Sequence, residues 1–151
     1  MAAGALGALL DQAQESEVRL EQYYAAIRDR SRDNSVRLLT FHLARHRRHQ
    51  EEALRVLQPA DVARVRGLEI RSDTPFPAAA AFRALKTPAE DVTGNALLHA
   101  AIDYDTDLLN FYRRILAQPL QAEAVELLKA LICIEERDIV ILRKLAAVRG
   151  F

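Results

Sequence analysis

The sequence predicts an all-α protein, a four-helix bundle made of two helical hairpins with one long crossover connection. Three observations carry that expectation. Apolar residues recur at three- and four-residue steps over four long stretches, and no alternating run of useful length competes with them. Aromatics are scarce while Ala, Leu, Arg and Glu, all good helix formers, abound. All five prolines, Pro59, Pro75, Pro77, Pro88 and Pro119, and two of the five glycines, Gly67 and Gly94, fall between Leu57 and Leu120, so the rest of the chain is free to be helix.

The first helix is expected over about residues 6–30, where Leu6, Leu10, Ala13, Glu17, Leu20, Tyr24 and Ile27 share one face. The polar link "SRDNS" ends it, and Ser35 is the expected cap of a second helix over about 35–57. That helix would turn Leu39, Leu43, His46, Gln50, Ala53 and Leu57 inward. Residues 58–87 form the crossover, with a short helix expected in "PAAAAFRAL". "TPAE", Thr87 to Glu90, offers a capping Thr and a Pro at the first helical position, so a third helix over about 88–117 begins there or just past Gly94. Its stripe is Leu98, Ala101, Ile102, Asp105, Leu108, Leu109, Tyr112 and Ile115. A fourth, over about 121–148, carries Leu128, Leu131, Ile132, Glu135, Asp138, Ile139, Leu142 and Leu145.

With 151 residues, half of them apolar, the chain has the length of a single domain, expected over 1–151. Its 21 Lys and Arg balance 21 Asp and Glu, so no global charge points to nucleic acid or a membrane, and neither partner is expected. The opening "MAAGALGALLDQAQE" lacks a basic n-region, no stretch reaches the length of a membrane span, and a cytoplasmic location is expected. Cys133, the single cysteine, sits in the apolar run "LLKALICIE" and is expected to be a buried thiol.

Every apolar stripe is interrupted near its middle: by Glu17, by His46 with His49, by Asp105, and by Glu135 with Asp138. Buried polar groups are costly unless paired or bound to metal, so interruptions at similar depth call for a common cause. The hairpins also repeat one another. Tyr24 follows Glu17 by seven residues in "EVRLEQYY", as Tyr112 follows Asp105 in "DTDLLNFY". His46 and His49 are spaced by three in "HRRH", as are Glu135 and Asp138 in "EERD", which places each pair on one helix face.

This pattern resembles the ferritin-like superfamily, and its rubrerythrin-type branch in particular. The resemblance implies a bundle with a Glu on helices one and three, each followed seven residues on by a Tyr, and a Glu-x-x-His pair on helices two and four. It implies Glu17, His46, His49, Asp105, Glu135 and Asp138 as metal ligands, Tyr24 and Tyr112 behind them, and iron as the ion. It also implies a homodimer and, for a redox-active version of the peroxidase or ferroxidase type, an external electron donor.

The departures point to an altered centre. His46 stands where a bridging Glu is expected, and a neutral imidazole offers its metal only one lone pair. Asp105 is one methylene shorter than Glu, about 1.5 Å of reach, and Asp138 stands where the second His is expected. Two readings stay open. In one, Glu17, His46, His49 and Glu135 hold a single ion, a donor set suited to zinc, iron or manganese. In the other no metal remains, protonated His46 and His49 offset the carboxylates, and the bundle is a structural or interaction module. His42, beside Arg45, Arg47 and Arg48, is expected at the boundary or surface; His99 is expected to form an exposed pair with Asp103, and the arginines of the first hairpin a solvated face.

Overall fold

The computed structural model describes residues 2–45, 48, 49, 52, 59–72, 76, 77 and 88–149. Within them the chain is predominantly helical. In order come β1 (Ala2–Ala5), α1 (Leu6–Arg30), α2 (Asn34–Leu43), α3 (Pro59–Arg66), β2 (Glu69–Ser72), a 3-10 turn (Ala89–Asp91), α4 (Gly94–Leu116) and α5 (Ala122–Arg149). Helical backbone recurs beyond α2 at Arg45, Arg48, His49 and Glu52. His46, the later inward positions of the second helix, Thr87 and most of "PAAAAFRAL" lie outside the described residues.

Every member of the stripe expected on α1 is buried, from Leu6 to Ile27. The helix has no side-chain cap at its start; instead Leu6 N–H donates to Leu68 O at 2.8 Å, so the crossover supplies the acceptor that a capping side chain would give. At its end Ser31 N–H returns to Ile27 O at 2.8 Å, and Arg28 and Arg30 sit where the helix dipole is negative. Asp33, not Ser35, caps α2: its carboxylate accepts from Ser35 N–H at 2.8 Å. The shift is physical, because a carboxylate is the stronger acceptor at the positive end of a helix. Thr93 caps α4 by accepting from Ala96 N–H at 3.1 Å, so this helix starts at Gly94 and Pro88 precedes only the 3-10 turn.

The strands had no signal in the sequence. β1 runs antiparallel to β2, with Ala2 opposite Ser72 and Ala5 opposite Glu69. Four residues of Ala and Gly carry no alternation; their pairing is set by where the crossover passes. The Gln118 side chain extends this ladder, donating to Arg71 O at 2.6 Å and accepting from Arg71 N–H at 2.9 Å. Gly7 lets α3 approach α1, since a Cβ there would meet Arg66 O at 2.9 Å, and the Arg66 guanidinium pairs with Asp11 at 2.8 Å across the same contact.

The core is continuous across α1, α2, α4 and α5, and the longest packed contact joins α4 to α5. α4 is buried more widely than its expected stripe: Leu97, Ala100, Tyr104 and Phe111 join it, and Phe76 from the crossover packs edge-on against Phe111 with ring centroids 5.4 Å apart. One expectation fails outright. Cys133 is exposed, because the face of α5 that carries Leu128, Leu131, Ile132, Glu135 and Ile139 turns it outward.

Candidate functional site

Three carboxylates are buried among the described residues, and each belongs to the stripes read from the sequence: Glu17 on α1, Asp105 on α4 and Glu135 on α5, with relative exposures of 4, 7 and 0 %. Glu21, one turn beyond Glu17, is exposed, which fixes the register of α1. Tyr24 and Tyr112 are buried as well, so both Glu/Asp-to-Tyr pairs of the repeat face inward.

Glu17, Asp105, Asp138 and His49 line one cavity of about 80 Å³. Tyr24 and Tyr104 share it, Leu20, Ala101 and Leu142 are among its apolar walls, and His42, Arg45 and the half-exposed Ile141 complete its lining. Glu135 is buried but is not part of this lining, and neither is Tyr112. The site thus brings together one carboxylate from each of α1, α4 and α5 and two imidazoles from the second helix. His42, expected at the boundary or surface, is half-buried and lines the same cavity as His49.

His49 Nδ1 lies 3.4 Å from Asp138 Oδ1; the imidazole is 33 % exposed and the carboxylate 12 %. That separation is longer than a good N–H···O hydrogen bond of about 2.9 Å. It equals the edge of a tetrahedron whose metal–ligand bonds are about 2.1 Å, so the two atoms stand as far apart as two ligands of one ion would. Among the described residues, however, no group of three or more His, Cys, Asp or Glu side chains is arranged to hold a metal. The donor set departs at His46, Asp105 and Asp138 from the pattern the resemblance implies, and Glu135 is not part of the cavity lining.

Tyr24 feels this charge. Burial holds the Tyr24 phenol well above its ordinary pKa, and the Asp105 and Glu17 carboxylates push it the same way. The Tyr104 hydroxyl is hydrogen-bonded to Ser16 Oγ, tying α4 to α1 beside the cavity. Tyr104 and Ser16 were missed by the sequence reading. The signal for Tyr104 was present, since it sits three residues after Ala101 and four before Leu108 and so continues an apolar row; the signal for Ser16 was not.

No protein-family model, curated protein or solved structure matches this chain.

Proposed function

We propose that the chain is a ferritin-like, rubrerythrin-related four-helix bundle whose interior centre is altered to take a single metal ion, zinc, iron or manganese. The observation that carries this reading is the His49–Asp138 pair, set at a ligand–ligand distance on the wall of a cavity that also meets Glu17 and Asp105. The reading assigns Glu17, His46, His49 and Asp138 as ligands. Asp105 stands in support, and Glu135, which the sequence pattern favoured as the fourth ligand, is a buried carboxylate outside the cavity lining. Two imidazoles and two carboxylates suit these ions better than calcium, which prefers oxygen alone. Homodimerisation and a cytoplasmic location belong to the same proposal, on the strength of the resemblance.

A second reading, a metal-free interaction module, is favoured by one observation: among the described residues no three donors are arranged for a metal. In that case the histidines are the charge partners of the carboxylates. Elemental mass spectrometry separates the two. After anaerobic incubation with each metal and removal of excess, the proposal expects close to one ion per chain in the native protein and none in a His46→Ala, His49→Ala variant. A metal-free native protein that keeps its helical content would instead assign the cluster to side-chain ion pairing.

A further inference from the structure

The zero net charge of the chain conceals a strong local asymmetry. No Asp or Glu occurs between Asn34 and His49, nor between Ile139 and Arg149. These two stretches expose Arg37, Arg45, Arg48, Arg143 and Lys144, and Arg137 precedes the second. The large hydrophobics exposed among the described residues fall on the same two stretches: Leu38 and Phe41 on α2, Val140, Ile141 and Val148 on α5. Phe41 is 56 % exposed and Val148 83 %, with the Arg28 guanidinium over the Phe41 ring at 5.2 Å from its centroid. The stretches adjoin, since His42 and Arg45 line the same cavity as Ile141, and His49 meets Asp138. In the sequence the nearest acids are Asp29 and Asp33 before the first stretch, Glu51 and Glu52 after it, and Glu136 and Asp138 before the second; Asp29 lies 3.6 Å from Arg28, Glu136 is held by Arg113 at 2.8 Å, and Asp138 lies 3.4 Å from His49.

We propose that this face docks on an anionic lipid surface. Cations interspersed with exposed aliphatic and aromatic side chains are the composition that binds at a charged membrane interface, with the rings and branched chains entering the headgroup layer and the arginines meeting phosphates and carboxylates. A second copy of the chain fits poorly: a two-fold contact through this face would set each Arg cluster against its own copy. An acidic peptide fits poorly as well, because the concavity into which its anchor would reach is lined by Glu17, Asp105 and Asp138. A planar anionic surface touches the rim cations without entering that cavity. The proposal stands whether or not the interior centre holds a metal.

The test is co-sedimentation of the full chain with vesicles of phosphatidylcholine, alone or with about 30 mol% phosphatidylserine. The expected result is binding at least about tenfold tighter to the anionic vesicles, weakened by raised salt. An Arg37→Glu, Lys144→Glu variant should lose at least about tenfold of that affinity. A Phe41→Ser, Val148→Ser variant should lose several-fold while keeping native helical content by circular dichroism. Equal binding to both vesicle types, absence of binding to either, or charge-reversal variants that bind like the native chain would overturn the proposal. So would self-association in sedimentation velocity that the Phe41→Ser, Val148→Ser variant abolishes without any vesicle binding, which would give the face to a second copy.

Discussion

The second hairpin, α4 with α5, and the first, α1 with α2 and its continuation, follow one sequence pattern with opposite chemistry. The second turns Asp105, Glu135 and Asp138 inward and contributes no imidazole to the cavity; the first, among the described residues, turns in Glu17 as its one buried carboxylate and supplies His42 and His49. Carboxylates that share one low-dielectric interior repel one another, and the helix that faces them here bears imidazoles. The two hairpins share their spacing and differ in the charges they carry.

The largest effect should come from the packing that the second hairpin contributes. Tyr112 is fully buried, and Tyr112→Ala should lower stability by about 3–5 kcal/mol, as expected for truncation of a large core aromatic. Leu39→Ala on α2 should cost about 2–5 kcal/mol. A smaller value for Leu39 than for Tyr112 in urea denaturation would sharpen the contrast, and the reverse order would break it.

Removing the imidazole that faces the acids is next. His49→Ala should cost about 1 kcal/mol in metal-free protein, because the side chain is a third exposed and its pairing with Asp138 is partly screened. The same substitution in metal-loaded protein should cost clearly more, and equal costs measured by thermal melts with and without metal would speak against a ligand role.

At alkaline pH the tyrosines set the direction. Tyr24 has a folded pKa above its unfolded value, and so has Tyr23 by burial, so the folded state holds its protons longer. Their contribution to stability is complete below the unfolded value of about 10 and is lost as pH rises through the folded one. Stability should therefore fall above about pH 10, and Tyr24→Phe should flatten that fall; an unchanged slope in melts across this range would show that Tyr24 does not ionise on unfolding. The smallest effect belongs to the surface. Arg113→Ala removes a pair with Glu136 in which both side chains are about half exposed, and it should change stability by less than about 0.5 kcal/mol.

Much of the fold was legible because the signals were local. α1 and α5 fall within a residue or two of their expected bounds, since 3.6-residue periodicity and breakers are written in the stretch itself. The inward placement of Glu17, Asp105 and Glu135 followed from the same periodicity. What was not legible depends on distant partners. The β1–β2 pair is made by two segments more than sixty residues apart with no alternation of their own, and Asp33 displaced Ser35 as a cap through a choice between neighbours. Cys133 was read as buried from the apolar company it keeps along the chain, yet its angular position on α5 decides, and that position faces out. At the cavity, the tie between Tyr104 and Ser16 is a contact between helices that one helix's pattern does not encode.

The central claim is one ion at an altered centre, and anomalous diffraction at the zinc or manganese edge from crystals grown with that metal tests it most directly. The account predicts a single peak in contact with His49 and Asp138, with Glu17 and His46 completing its shell. Two peaks about 3.5–4 Å apart would restore the two-metal centre, and a metal-saturated crystal without a peak in the bundle interior would contradict the claim.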